Sequence, residues 1–508
     1  MRIRPNRRRR IAASASRACA AGLLLVLAGC TMGPEYKRPE VSLPPVWRAE
    51  LPNAADVANT EWWQSLGDAQ LDALIEAALA ANKDLMLATL RIEELDARLQ
   101  ISRSANYPQI GYAVSGQRER RSQERPNGLR PGDSPSLGNY EISSNLTWEL
   151  DLWGRVKRAN EAARAELLAS EEGRRAVMLT VVSATATAYV QLLSLDQRLA
   201  LARQTLANRD SAADLSRRRF EGGSGTAMAV EQALSVAAEM AAEIPPLERE
   251  IRSVENNLSA LLGRNPGPVA RGSIEALQGR QSRLQLPAGV PADVLVRRPD
   301  VLAAEQGLVA ANARIGVAKA GYFPVISLNA IIGLAADDPR WLGAETARTG
   351  NYGAGLAGPL FAGGRIDANV REAEALSKQM TVRFQKAVQQ AVVEVEDALI
   401  TRTKSGEREA ALARQLAHLQ RATALEKARF TGGRGTQADV LDAERRELVA
   451  QSQQGQGQRD SLMALIAVYK AMGGGWMLER EKREAPPPPP PAPDVAARGP
   501  AFEDEVGK

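Results

Sequence analysis

Phe220-Glu-Gly-Gly-Ser-Gly-Thr226 and Phe430-Thr-Gly-Gly-Arg-Gly-Thr436 are one seven-residue phrase written twice, 210 positions apart. A glycine-rich phrase of this kind, set between helical runs, reads as a reversal between two helices. The match extends outward. Gly154-Arg155 returns as Gly364-Arg365 at the same separation, and Asn106-Tyr107-Pro108 corresponds to Tyr322-Phe323-Pro324 at 216, after a slip of six. Order kept over so long a stretch marks a duplicated unit rather than chance likeness between helical sequences.

Each unit reads helix, strand, loop, strand, long helix, glycine turn, long helix. Val156 to Arg219 contains no proline, and Val177, Val181, Ala184, Ala188, Leu192, Leu195, Leu199, Ala202 and Leu206 recur at a mean of ~3.6 residues. That period is nearer a straight helix than the about 3.5 of a tight supercoil, and at about 1.5 Å per residue the run predicts a rod of ~95 Å. Ahead of it, Tyr140, Ile142, Leu146, Trp148, Leu150 and Leu152 alternate with Asn139, Glu141, Ser143, Asn145, Thr147, Glu149 and Asp151. Ile110, Tyr112 and Val114 alternate in the same way with Gln109, Gly111, Ala113 and Ser115, and the second half follows with Ile326, Leu328, Ala330 and Ile332, then Tyr352, Ala354, Leu356 and Leu360. The expected strands are 108–117, 139–152, 324–333 and 351–361, the first two joined by a polar loop from Arg118 to Gly138.

One oily and one polar face suit either a lipid-facing barrel with a wet lumen or a soluble sheet packed on one side. In lipid an open sheet edge is forbidden, because its backbone groups stay unpaired. Four strands cannot close and known barrels begin at about eight. A barrel therefore needs at least two copies, and three would give twelve strands. The helices by themselves also suit a coiled-coil scaffold that conducts nothing.

The start of the chain is a targeting segment. Arg2, Arg4 and Arg7 to Arg10 precede an apolar stretch from Ala18 to Ala28 that ends in Leu27-Ala28-Gly29-Cys30. This ending resembles a lipoprotein signal: cleavage between Gly29 and Cys30, with the Cys30 thiol taking a diacylglycerol and its amine an acyl chain. Thr31 in place of an acid favours the outer membrane. Seven of the 65 bases lie before residue 30, so the mature chain has 58 bases against 60 acids. The basic balance leaves with the signal and gives no support to nucleic-acid binding. Cys19 leaves as well, so no thiol remains for a disulfide. Only 4% of residues are aromatic, as expected of long helices packed at close range. No uncharged apolar stretch long enough for a membrane-spanning helix is expected.

Several motifs together resemble the TolC-like outer-membrane factors, in the lipoprotein branch that serves resistance-nodulation-division (RND) efflux systems. They are Cys30-Thr-Met-Gly-Pro-Glu-Tyr-Lys-Arg-Pro39; Trp62-Trp63 with Gly67-Asp68 and Leu71; Leu150-Asp151-Leu152-Trp153-Gly154-Arg155; Arg297-Arg298-Pro299-Asp300 with Ala304-Glu305; and Pro359-Leu360-Phe361 before Gly363-Gly364-Arg365. The resemblance implies a mainly α fold with membrane β: long helical hairpins forming a periplasmic α-barrel, and four strands per chain contributing to a trimeric twelve-stranded outer-membrane β-barrel, with an internal two-fold repeat. Residues 1–29 are then the signal peptide, 30–67 the lipid-anchored N-terminal segment, 68–290 the first repeat with its hairpin at 155–262, 291–472 the second with its hairpin at 365–471, and 473–508 a proline-rich tail expected to be disordered and coreless. It further implies a homotrimer, a periplasmic adaptor protein and an inner-membrane RND transporter as partners, an acyl anchor and barrel in outer-membrane lipid, and passive export of drugs or other small toxic solutes. A related channel for protein secretion, or a non-conducting envelope lipoprotein, are the alternatives. By resemblance Asp439 and Asp442 fall on a periplasmic gate that prefers cations. Phe220, Gly222, Gly223, Gly225, Phe430, Gly432, Gly433 and Gly435 fall at the tips that meet the adaptor. The first half carries Ala229 where the acid would stand, with Glu231 nearby.

No chemistry is expected. His418 is the only histidine and sits within an otherwise helical run, so neither a Ser-His-Asp triad nor a multi-histidine metal site is expected within one chain. Gly433-Arg-Gly435-Thr-Gln-Ala438 mimics a dinucleotide fingerprint but follows a helix where that motif needs a strand. Arg297, Arg298, Pro299 and Asp300 read as a helix start. No cofactor is implied.

Overall fold

The computed structural model describes residues 31–48, 61–120, 136–281, 294–473, 476–477 and 480–481. Helices α1 (Ala69–Ala81) and α2 (Lys83–Ser104) lead into strands β1 (Gln109–Arg120) and β2 (Ser136–Leu150), then helices α3 (Arg155–Glu221) and α4 (Ala227–Leu261). After α5 (Ile274–Gln281) and α6 (Val294–Arg297), the pattern returns as α7 (Pro299–Ala320), β3 (Val325–Ala336), β4 (Arg348–Ala357), α8 (Arg365–Thr431) and α9 (Gln437–Ala471).

The duplication holds to the residue. α3 and α8 are both 67 residues long and α4 and α9 both 35, with every boundary 210 apart. At about 1.5 Å per residue the long helices are rods of ~100 Å. Each is entered through a glycine that an L side chain would strain, Gly154 at φ 74° and Gly364 at φ 80°. The β1–β2 register pairs Ile110 with Leu146, and the same offsets carry this pair onto Ile326 and Leu356, which face each other across β3–β4. The six-residue slip therefore falls between the strands of each hairpin.

Alongside each long helix run two shorter ones placed end to end: α2 and α4 against α3, α7 and α9 against α8. The joints between them are built alike. Asn82, 3% exposed, caps α2 by accepting from Leu85 N–H and donates 2.9 Å from Nδ2 to the terminal carbonyl of Leu261 on α4. Arg298, at the equivalent place ahead of α7, donates 2.9 Å to the carbonyl of Ala471 on α9. Both side chains satisfy carbonyls that a helix end leaves without a partner.

The main core gathers where these joints lie. Trp62 and Trp63, from a 3-10 turn at Trp62–Leu66, pack with α1, with α3 from Met178 to Leu193, and with Leu462 to Tyr469 of α9. Trp62 stacks on Tyr469 at 5.0 Å and Trp63 meets Trp476 edge-on at 4.8 Å. Tyr189 donates to Asp68 and accepts from Gly272 N–H. A second cluster around Phe384, Val388 and Val395 of α8 takes in Trp47 from the N-terminal segment.

Some expectations need correction. β1 continues to Arg120 and β2 begins at Ser136, so strand occupies both ends of the supposed loop, whose remainder at 121–135 lies outside the described residues. β2 stops at Leu150, where Leu152 N–H turns back onto the Leu150 carbonyl. β4 runs from Arg348 to Ala357 and releases Pro359, Leu360 and Phe361, since a proline has no N–H to give the ladder. The segment after residue 473 supplies core: Trp476 is fully buried, Arg480 binds Glu76, and Glu481 binds Arg174 and Arg175. The proline run lies outside the described residues. One window of α3 is long and apolar enough to cross a membrane by composition, but 61% of it is buried inside the protein.

Candidate channel wall and tip

The four strands form one antiparallel sheet in the order β1-β2-β3-β4. Its register puts the oily faces in phase. Ile110, Leu146, Ala330 and Tyr352 share one row, and Val114, Ile142 and Leu334 another. The opposite face offers Gln109, Thr147, Asn329 and Gly353, then Gly111, Asn145 and Asn351, with Ile331 the one large apolar residue among these two rows. Such a sheet presents hydrocarbon to one side and a hydrated wall of small polar groups to the other. From Leu150 to Tyr140 the oily face extends about 34 Å along the strand, or ~25 Å of height at the usual barrel tilt.

Aromatic side chains collect where strand gives way to helix. Trp148 donates its indole N–H to the Asn106 carbonyl, and Trp153 donates to Pro324 while stacking on Phe323 at 4.6 Å. Tyr107 and Phe361 are exposed beside them in sequence. The N-terminal segment reaches the same level. Met32 N–H bonds to the Trp153 carbonyl, Lys157 donates to the Thr31 hydroxyl, and Gly33, at φ 94°, lies against Gly316 of α7 so closely that a Cβ on Gly316 would stand 2.5 Å from the Met32 carbonyl oxygen. From there the segment descends along α7: Asn312 holds Pro34, Glu305 holds Tyr36 and Arg38, and Arg48 N–H reaches Glu396. Gly29 and Cys30 lie outside the described residues.

At the far end, 67 residues from the sheet, the repeated phrases turn α3 into α4 and α8 into α9. Gly223 and Gly433 take φ 75° and 73°, and a Cβ on Gly225 would crowd Phe220 N at 2.9 Å. Gly222, Gly432 and Gly435 complete the turns. Phe220 is half exposed, while Phe430 lines a groove of about 570 Å³ between α3 and α9. Thr226 and Thr436 cap the return helices, and only the second has a reciprocal partner: Asp439 accepts from the Thr436 N–H and hydroxyl while donating its own N–H to that hydroxyl. These bonds hold the Asp439 carboxyl below the ordinary range. Asp442 pairs with Arg445 and Arg446. Asp439 thus begins α9 as a helix-start carboxylate, and Asp442 follows one turn on as part of an intrahelical ion pair, which leaves both near the tip.

Deeper in the groove Arg209 of α3, 8% exposed at its side chain, bonds Glu444 of α9 at 3.2 Å, and Lys427 of α8 bonds the same carboxylate. This bridge between hairpins was not anticipated, although Arg209 occupies a place in the apolar period of α3 where its counterpart is Leu419. The Gly33–Gly316 approach was missed too; its signal is a lone glycine inside a helical run. Arg298 forks onto Asp300 and Glu394, a structural arrangement. His418 is exposed on α8. Among the described residues, no group of three or more acids, histidines or cysteines is placed to hold a metal ion.

The outer membrane efflux protein model matches residues 74–264 and 290–474, which are the two repeats. The chain belongs to the outer membrane efflux protein family. It is 33% identical to the cation efflux system protein CusC of Escherichia coli O6:H1 over 466 residues, covering 89% of this chain and 97% of that one. It is 31% identical to the probable outer membrane lipoprotein SilC of Salmonella typhimurium, over 89% and 97%. A crystal structure of CusC superposes with a TM-score of 0.77 at 30% identity, covering 88% of this chain and all of that one. As in the other members of this family, the protein is an outer-membrane channel component of an efflux system, with its helical hairpins extending into the periplasm.

Proposed function

We propose that three copies close head to tail into a continuous duct, a twelve-stranded barrel in the outer membrane above a barrel of helices, through which small toxic solutes leave passively. The observation that carries this is an imbalance between the repeats. α7 packs on both long helices, α8 and α3, whereas among the described residues α2 packs extensively on one long helix, α3. Accordingly Met86, Leu87 and Leu90 of α2 are exposed, while their counterparts Leu302, Ala303 and Gln306 of α7 are part-buried. α8 is bare in the same sense: Val393 and Ile400 are 51% and 47% exposed, against 5% and 0% for Ser183 and Val190 on α3. The two bare faces complement each other if α2 of one copy meets α8 of the next, repeating the α7–α3 contact. β1 and β4 are the matching open edges. A heterologous contact of this kind either closes as a ring or grows as a filament, and a membrane barrel requires the ring.

In this reading Cys30 is acylated, and because Thr31 and Met32 are held beside Trp153 and Lys157 the described segment begins at the level of the aromatic belt, where a lipid anchor enters the leaflet that the barrel already occupies. The tips at Phe220 to Gly225 and Phe430 to Gly435 meet a periplasmic adaptor, an inner-membrane RND transporter supplies the energy, and Asp439 and Asp442 ring the entrance and favour cations. The cargo undergoes no chemistry. This reading includes cations among the exported solutes, on the likeness to CusC, a cation efflux system protein.

The test uses the repeat itself. Arg314 of α7 bonds Glu166 of α3 within one chain, and the repeat places Arg98 and Leu376 at the corresponding sites on α2 and α8. Arg98→Cys with Leu376→Cys, joined by a short bismaleimide, should give a ladder of one, two and three chains and stop there. A ladder that ends at one chain, or continues past three, defeats the closed trimer. The uncross-linked protein should carry discrete cation-favouring openings in a planar bilayer.

A further inference from the structure

The sheet separates charge by face. On the oily face every charged residue is an arginine, namely Arg118, Arg120 and Arg348, and all three stand at the end away from the helices. On the polar face the charged residues are Glu119, Glu141 and Glu149, all acids. Chance solvation of strand ends does not sort sign by face. Among the described residues neither Arg118 nor Arg120 closes a salt bridge: Arg118 donates to the Ser136 hydroxyl at 3.1 Å and, after the bonds from Arg340, its charge helps to lower the pKa of the Asp338 carboxyl, and Arg348 stands 3.8 Å from Glu345. Arg340 is already committed to Asp338.

Head-to-tail closure joins these residues. Carried through the repeat offsets, the β2–β3 pairing of Leu146 with Ala330 becomes Leu356 on β4 against Val114 on β1 of the next copy. The same register sets Tyr352 opposite Arg118 and Gly350 opposite Arg120 of that copy. Arg348 follows one row beyond. Three outward arginines therefore converge on each subunit boundary, at the levels four, six and eight residues past Val114 of the next copy and just beyond the last row of the oily band. This is the height at which hydrocarbon gives way to the headgroups of the outer leaflet, whose main lipid in an outer membrane is a phosphorylated glycolipid.

We propose that Arg118 and Arg120 of one copy, with Arg348 of its neighbour, form a binding site for the phosphates of the outer-leaflet glycolipid. Guanidinium forks suit phosphate because they offer paired donors in a plane, and the adjoining row of Val114, Ile142 and Leu334 receives the acyl chains. The site depends on the barrel reading, since the neighbour completes it. It also places a lipid at the joint between copies, where it would brace the assembly.

The experiment takes the full-length protein extracted from outer membranes in mild detergent, alongside Arg118→Ala/Arg120→Ala/Arg348→Ala. Bound glycolipid is measured by mass spectrometry of the intact complex. Affinity is measured by titrating purified bisphosphorylated lipid A, its dephosphorylated form, phosphatidylethanolamine vesicles and inorganic phosphate, with the melting temperature as readout. The wild type should retain glycolipid and be stabilised by the bisphosphorylated form alone, and the triple variant should need at least tenfold more. Conductance in a phospholipid bilayer reports the barrel independently and should be the same for both proteins. Equal response of wild type and variant, or of the two lipid A forms, overturns the site. Full competition by inorganic phosphate would make it a phosphate site without lipid specificity and overturns the assignment as well. A wild type that neither assembles nor conducts defeats the barrel reading, and the inference with it.

Discussion

Replacing Arg298 by methionine keeps the length of the side chain and removes its charge, and so measures the joint between α7 and α9. Three things are lost: a charge-assisted bond to the Ala471 carbonyl, a fork onto Asp300, and a bond to Glu394 at 2.6 Å. A hydrogen bond to a charged group contributes about 1.5–3 kcal/mol. The two carboxylates are 45% and 43% exposed and are largely screened, so each pair contributes no more than about 0.5 kcal/mol. Removing the guanidinium also ends its own burial cost, which offsets part of the loss. The sum is a destabilisation of about 2–3 kcal/mol, or roughly 5 °C in a unit of this size. Because membrane assemblies unfold irreversibly, the measurement is the half-life of the sodium dodecyl sulfate-resistant oligomer on heating, compared at one scan rate. Arg298→Lys should recover less than half, since an ammonium cannot fork onto Asp300 and reach Ala471 together. A methionine variant that melts within 1 °C of the wild type, or full recovery by lysine, would refute the account of the joint.

Gly316→Ala should free the N-terminal segment, because the added carbon would stand 2.5 Å from a backbone oxygen; a cost of about 1–3 kcal/mol should appear as protease cleavage between Met32 and Arg48. Asp439→Asn with Asp442→Asn should lower cation preference in single-channel records while leaving the oligomer intact, since asparagine still accepts at the cap and the expected loss is under about 1 kcal/mol. The cap bonds lower the Asp439 pKa, so its stabilisation is complete above the ordinary value of 3.8 and is lost only as pH falls through the folded value; between pH 5 and 8 the tip should melt without pH dependence from this group. Asp72 is opposite in sign. Burial, then Asp68, Glu76 and Glu61, raise its pKa, so its ionised form is penalised at pH 7, and Asp72→Asn should raise the melting temperature there by an amount that fades as pH falls toward the ordinary value; no gain at pH 7 would contradict this.

The hairpins were legible because a long amphipathic helix writes its period many times over and the glycine phrase marks both turns. The strands were legible from alternation, which fixes faces well and ends poorly: nothing in residues 118–120 or 136–138 distinguishes a strand from a polar loop until partners are known. The joints at Asn82 and Arg298 were not visible, because they link residues far apart in sequence through single carbonyls. Trp476 was passed over as part of a tail since Gly473 to Gly475 precedes it, and local composition cannot reveal that an indole has a pocket waiting beside Trp63. The bridge from Arg209 to Glu444 escaped for a similar reason. The acids at 439 and 442 were read by resemblance as a gate, and the local chemistry of Asp439 as a helix start was legible from Thr436 alone.

The α7–α3 contact and the contact proposed between α2 and α8 are the same contact, made once within a chain and once between chains. The covalent version never has to find its partner. In a ring of three copies half of the joints are thus formed at a local concentration set by the chain, and only three encounters remain to be made in solution or in the membrane. A mutation that weakens this contact at equivalent places in both repeats should therefore arrest assembly before it unfolds the subunit, leaving stable single chains whose second joint has no tether to hold it.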